Sequence, residues 1–146
     1  MQVLSSVDIE DTLRQDLATL YASLDIEDVS FSAPPVPPTL GELPATGTQV
    51  CLTRVGGGRS DLVIDSHTIS IDVYDQDWQS SLDAANLLAG VISQLQFQSG
   101  LLVQYHSVSI DTLPYALPDT SNPVFPRVRM LVTIIIKSGI MTMPEN

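Results

Sequence analysis

Cysteine is almost absent from this chain: the single copy among 146 residues, Cys51, excludes a disulfide within the molecule. Because Cys51 lies in an apolar run typical of a buried strand, we expect a small core side chain, with a nucleophile as the alternative. Long apolar runs are missing as well, since the longest, MLVTIII at 130–136, is far too short to cross a bilayer. The first residues also lack the basic-then-apolar order of a signal peptide. The sequence therefore predicts a soluble protein of a reducing compartment.

Basic residues are scarce, with six lysines and arginines against 17 acids and a formal net charge of −11. A surface of this kind repels nucleic-acid phosphates and anionic lipid, which argues against binding to either. Seven of the acids fall within the first 28 residues, whereas four of the six bases are arginines at 54–59 and 127–129. This separation of signs suggests complementary surfaces on neighbouring subunits, with ordinary solvated faces as the alternative.

Motifs of catalysis and metal binding are also missing. No HExxH, CxxC or GxSxG occurs, and His67 and His106 lie too far apart for a recognisable zinc spacing. The segment DVYDQD (72–77) could attract a divalent cation, but it lacks the glycine and distal glutamate of a calcium loop. A strand end followed by a helix cap explains it better. The sequence predicts no enzyme activity, no metal site and no cofactor.

The sequence does contain a clear order of periodic segments. Apolar residues at three- and four-residue steps predict one helix between Ile9 and Leu24 and a second between Trp78 and Leu95, with Trp78 as a core anchor. Alternation at every second residue predicts four strands, at 49–55, 67–75, 102–111 and 127–137. The last of these is apolar on both faces in its middle, which predicts a central strand.

Proline marks two irregular connections. Five prolines between 34 and 44 forbid helix and central strand, so residues 31–48 are predicted to form a stiff, extended connection. Further prolines make residues 112–126 a long predicted loop. The length and the 44% apolar content fit one core, so the whole chain, 1–146, is interpreted as a single domain.

Three consecutive glycines beside an arginine, in TRVGGGRSD (53–61), raise the possibility of a phosphate-binding loop. A P-loop needs a lysine and a hydroxyl after the last glycine and then a helix, and a dinucleotide fold needs GxGxxG between strand and helix. Here a strand-like segment follows, so the glycines are expected to form the reversal of an antiparallel hairpin, where positive φ is needed. Arg59 is then expected on a flexible tip, free to reach a carboxylate on a neighbouring molecule, with Arg54 as a second candidate.

The order of these segments resembles that of the tail terminator, or tail completion, proteins of long-tailed double-stranded DNA bacteriophages. The matching stretches are TRVGGGRSD, ISIDVYDQDWQSSLDAANLLAGVISQL and SNPVFPRVRMLVTIII, which with the opening helix cover most of the chain. None of them is a catalytic signature. The resemblance implies an α+β fold, in which a mostly antiparallel sheet of about four to five strands carries two helices packed on one face.

The resemblance also implies a structural function in a virion that is assembled in the host cytoplasm. The expected product is a hexameric ring that caps the finished tail tube, ends its polymerisation and docks onto the head–tail connector protein. DNA would pass through this ring without specific binding, and no membrane is involved. The expected partners are therefore further copies of this chain, the tail tube protein and the connector protein.

Six charged residues are candidate contacts with a neighbouring subunit or with the tube. They are Arg54, Arg59, Asp75, Asp77, Arg127 and Arg129. Three alternative functions stay open at this point: another neck or head–tail joining component, a monomeric protein-binding module that uses the proline segment or the 112–126 loop, and an enzyme with an unrecognised site.

Overall fold

A computed structural model of the protein describes residues 2–33, 47–61, 63–118, 126–137 and 139–142. The predicted proline-rich connection, 31–48, is thus described only at its two ends, and its stiff extended form lies outside the described residues. The elements in chain order are β1 (Gln2–Ser5), α1 (Ile9–Ser23), β2 (Val29–Ser32), β3 (Thr48–Asp61), β4 (Ile64–Tyr74), α2 (Trp78–Ser93), a short 3-10 turn (Leu95–Phe97), β5 (Tyr105–Ala116), β6 (Arg127–Lys137) and β7 (Gly139–Thr142).

Five strands form the main sheet in the order β2-β3-β4-β6-β5. All neighbouring pairs are antiparallel except β2 and β3, which run parallel. Strand β6 is internal, as its apolar residues on both faces predict, because hydrogen-bonded neighbours flank it on each side. The strands β1 and β7 pair with each other as a separate antiparallel ribbon that the sequence did not predict.

One face of the sheet and both helices share a single hydrophobic core. Alternate residues of β4 and β6, such as Ile71 and Met130, are fully buried and directly opposite each other. They join Leu17 of α1 and Leu88 of α2 in one buried cluster. Each side chain of this size stabilises the fold by about 1.5–3 kcal/mol relative to an exposed position. The predicted α+β fold, with two helices on one face of a mostly antiparallel sheet, is therefore confirmed.

A buried carboxylate ties α1 to the segment that leads into β5. Asp16 accepts a hydrogen bond of 2.6 Å from the Tyr105 hydroxyl and one of 2.8 Å from the Leu102 backbone N–H. Both Asp16 and Tyr105 are almost fully buried. Burial and the neighbouring Asp16 raise the pKa of Tyr105. Since a buried carboxylate is tolerated only when donors compensate for its lost hydration, this contact fixes the position of α1 on the sheet.

Trp78 is not the core anchor that its position in the apolar stripe predicts, because 46% of its surface is exposed. The inward position of the first turn of α2 belongs instead to Ser81, which is fully buried and donates a hydrogen bond of 3.1 Å to the Pro126 carbonyl. Trp78 therefore lies at the rim, beside Tyr115 and Pro114, in a shallow apolar pocket.

The third predicted strand is displaced relative to its predicted range of 102–111. It is β5, and it continues through residues 112–116, which were predicted to begin the long loop 112–126. Pro114 is tolerated because β5 lies at the edge of the sheet and its register shifts between Thr112 and Tyr115. Residues 119–125 of that predicted loop lie outside the described residues.

Two smaller predictions concern Cys51 and membrane contact. Cys51 is a buried thiol outside any disulfide, as predicted, and the Ser32 hydroxyl lies 3.5 Å from its sulfur. Within the described ranges, no helix has the length and apolar character needed to span a membrane.

Candidate functional site

The three glycines lie inside β3 and not at the reversal of the hairpin. Pairing with β4 continues beyond them, with Arg59 opposite Asp65 and Asp61 opposite Ile64. The predicted antiparallel hairpin of β3 and β4 is confirmed, but its predicted reversal at the glycines is wrong. A strand follows the glycines, so the arrangement lacks the helix N-terminus that a P-loop uses to hold phosphate.

Gly57 is the glycine whose conformation the hairpin requires. Its φ is +140°, and a Cβ atom there would lie 2.1 Å from the carbonyl oxygen of Ser66 in β4. It follows a register shift between Arg54 and Gly56, which is a β-bulge. The sequence thus needs glycine at this position for the close approach of two backbones.

Arg59 is bound to its own hairpin. Its Nε lies 2.7 Å from Asp65 Oδ1 and its Nη2 lies 3.2 Å from Asp65 Oδ2, which is a bidentate pair. The hydroxyl of Ser6 also donates to Asp65 Oδ2, at 3.1 Å. The neighbouring carboxylate raises the pKa of Arg59. Arg59 is therefore held in place and does not occupy a free, reorienting tip as predicted.

A polar cleft opens beside this ion pair, with a volume of about 450 Å³. We call it the Arg54 cleft. Its lining residues are Ser5, Ser6, Arg54, Gly58, Arg59 and Asp65. It forms where the end of β1 and the start of α1 meet the far half of the hairpin, and the backbone N–H of Arg54 donates to Glu10 Oε1 at 3.2 Å there.

The two arginines of this cleft differ in their ion-pair partners. Arg59 is paired with Asp65, whereas in the part of the chain that the structure describes the exposed guanidinium of Arg54 has no carboxylate within ion-pair distance. Arg54, Arg59 and Asp65 supply the charges of the lining, and the carboxylate of Glu10 lies beside it, where it accepts the Arg54 backbone N–H. The cleft is suited to a single carboxylate, which the guanidinium of Arg54 can bind.

His67 is buried next to the cleft, opposite Gly57 in β3 and Ile134 in β6. Burial lowers the pKa of His67, the charge of Arg54 lowers it further, and Asp65 acts in the opposite direction. Among the residues that the structure describes, neither ring nitrogen has a hydrogen-bond partner. The imidazole is therefore neutral at pH 7 and acts as a packing group.

The burial of His67 makes stability depend on pH. Below about pH 6.5 the unfolded chain binds a proton that the folded chain excludes, so the free energy of unfolding falls by up to about 1.4 kcal/mol per pH unit. We expect this loss between pH 6.5 and 5 in urea unfolding of the protein, and a smaller loss in His67→Gln. Carboxylates with lowered pKa, such as Asp11 and Asp77, contribute to a fall in the free energy of unfolding only below about pH 4, where they become protonated.

His106→Gln is the matched control for the substitution itself, since it makes the same replacement at an exposed histidine of β5. Equal slopes for the unmodified protein and His67→Gln between pH 5 and 6.5 would contradict the assignment to His67.

The other four predicted contact residues lie at the opposite end of the sheet from the Arg54 cleft. Arg129 pairs with Asp72 at 2.7 Å, and Nε of Arg127 donates to the Leu117 carbonyl at 3.0 Å. Asp75 accepts a hydrogen bond of 2.6 Å from the Thr48 hydroxyl. Asp77 is the N-cap of α2, as the sequence predicts, and the backbone N–H of Ser80 lowers its pKa. The structure therefore does not bring the six residues together, and each of these four has a partner in its own chain.

Sequence reasoning missed Ser5, Ser6 and Asp65 as members of the site. Asp65 would follow from the sequence only if the pairing were continued past the glycines and the register shift between Arg59 and Asp61 were known, because that shift places Arg59 opposite Asp65. The serines have no such signal, since they reach the cleft through the β1–β7 ribbon.

A second concave surface, an apolar groove of about 480 Å³, lies between the C-terminal halves of α1 and α2. Leu24, predicted as part of the buried stripe of the first helix, is exposed at its edge together with Leu87. The lining contains no ionisable side chain, so the groove offers contact area without acid–base chemistry.

Among the described residues, no group of three His, Cys, Asp or Glu side chains is placed to hold a metal ion.

Comparison with known proteins gives a similarity of fold. No family model matches the chain, and no curated protein matches it. Among solved structures, the fold is similar to a chain described as "Virion of native gene transfer agent (GTA) particle", with a TM-score of 0.58 and 15% sequence identity. The match covers 90% of this chain and 99% of that chain. At this level of identity the two chains share a fold.

Proposed function

We propose that this protein is a structural component of a phage-like virion. The observation that carries the proposal is the similarity of fold to a virion chain, which extends over 90% of this chain and 99% of the other. A match of this extent concerns a whole domain and not a common local motif. It is consistent with a chain whose arginines are engaged mainly in holding its own strands together.

Within the virion, we propose the function of a tail terminator for the single domain 1–146. Copies of the chain form a closed ring, hexameric as the family resemblance implies, that caps the tail tube and joins it to the head–tail connector. The order of helix, hairpin, helix and final strands supports this assignment. The net charge of −11 per subunit also supports it, because an acidic ring repels the DNA that must slide through it.

The test is deletion of the gene from a strain that produces the particles, followed by electron microscopy of tail lengths. A terminator stops tube polymerisation, so we expect overlong tubes of variable length without heads, and restoration of normal tails by the intact gene. Tubes of normal length that fail to join heads would indicate the alternative, another neck component. Normal, joined tails would contradict a structural role in the tail.

A further inference from the structure

We propose that the Arg54 cleft of one subunit binds an acidic turn, Asp25–Asp28, of the next copy of this chain. The inference rests on the proposed function, because it assigns a contact within the proposed ring. It replaces Arg59, the first candidate from the sequence, with Arg54, since Arg59 is already paired with Asp65.

The acidic turn joins α1 to β2 and projects three exposed carboxylates, those of Asp25, Glu27 and Asp28. Asp25 and Asp28 have φ values of 55° and 59°, in the left-handed region, so the tip of this turn departs from both helix and strand conformation. The carbonyl of Asp28 accepts the Thr48 backbone N–H at 2.8 Å, which anchors the tip to the first residue of β3. Within the described ranges no basic side chain pairs with these three carboxylates.

The cleft and the turn lie at different positions along the same strand. Thr48 marks the end of β3 that carries the turn, and Arg54 is six residues further along it. At about 3.3 Å per residue the two are separated by roughly 20 Å, so they cannot meet within one molecule. A contact between them must therefore join different copies.

Contacts between different patches on identical subunits are head-to-tail, and such contacts produce a ring when the rotation between subunits closes. The guanidinium of Arg54 has no ion-pair partner among the described residues, whereas the turn offers single carboxylates. Charge and polarity are complementary, and the Asp65 carboxylate in the lining disfavours a multiply charged anion such as phosphate.

The test is charge reversal at each side and at both sides together. Arg54→Glu and Glu27→Arg should each reduce incorporation into particles and self-association measured by sedimentation by about tenfold or more, because repulsion replaces attraction. The double variant restores the pair with opposite polarity and should recover most of the loss. Glu27 is chosen because its neighbours Asp25 and Asp28 need positive φ.

Two matched controls separate this contact from a general effect of charge. Lys137→Glu reverses another exposed base that is not part of the cleft lining, and Asp83→Arg reverses an exposed acid on α2. Both should assemble normally. Unchanged thermal unfolding of all variants shows that the fold is intact, as expected for exposed side chains.

Normal assembly of Arg54→Glu, or a double variant that is no better than the single variants, would overturn this contact. Overlong tubes on gene deletion would at the same time leave the terminator function standing. If the protein is instead absent from particles, the proposed function fails, and a monomeric unmodified protein in sedimentation would then overturn this inference as well.

Discussion

Replacing Gly57 by alanine is expected to destabilise the protein by at least about 3 kcal/mol. A φ of +140° is strained for any residue with a side chain, at a cost of about 1–3 kcal/mol. The new methyl group would also meet the Ser66 carbonyl at 2.1 Å, and relief of such an overlap costs a similar amount because two backbones must separate. Chemical denaturation of the purified protein measures the total loss in the free energy of unfolding.

Gly58→Ala is the control for this substitution. Gly58 is the next residue of the same strand, its added Cβ would have no atom within 4 Å, and its φ is not in the positive region. We expect a change of less than about 1 kcal/mol there. Equal effects of the two substitutions would show that the bulge does not have the described geometry.

Removing a large side chain from the centre of the core is expected to have an effect of similar size. Leu88 on α2 and Ile134 on β6 are both fully buried in the cluster that joins the helices to the sheet. Leu88→Ala or Ile134→Ala should each lower the free energy of unfolding by about 2–5 kcal/mol, through lost burial and the cavity left behind. Urea unfolding followed by circular dichroism measures the loss.

Leu87→Ala gives the comparison on the same helix, because Leu87 is 48% exposed and its truncation leaves no closed cavity. It should cost under about 1 kcal/mol. If Leu88→Ala lowers the free energy of unfolding no more than Leu87→Ala does, α2 does not pack on the core through the face that carries Leu88.

The parts of the fold that sequence predicted are those with long, regular periodicity. β6 is 11 residues long and apolar on both faces, so its central place follows from its own composition. The ribbon of β1 and β7 was missed because each strand has four residues, too few for a period to be recognised. Trp78 was misplaced because a stripe of apolar residues defines a face of the helix but not where along it the core ends.

The candidate site was predicted only in part, because it depends on register. The glycines suggested a reversal, and this placed Arg59 at a tip. Pairing that continues past the glycines instead places Arg59 opposite Asp65 and neutralises it. A shift of a few residues in a hairpin changes which charges are opposite each other, and local sequence signals for turns do not determine that shift. Arg54 is notable only once Arg59 is known to be paired.

The pairing of β1 with β7 also determines when the Arg54 cleft can form. Gln2 lies opposite Thr142, so this ribbon joins the first and last of the described strands and has the largest sequence separation of any strand pair in the sheets. Contacts of such separation form late, since long loops must close first, and β7 is the last of the described strands to leave the ribosome. Ser5, at the end of β1, lines the cleft and is paired with Gly139. A nascent chain therefore lacks the complete cleft, and the contact that we propose between subunits requires β7 to have been synthesised first.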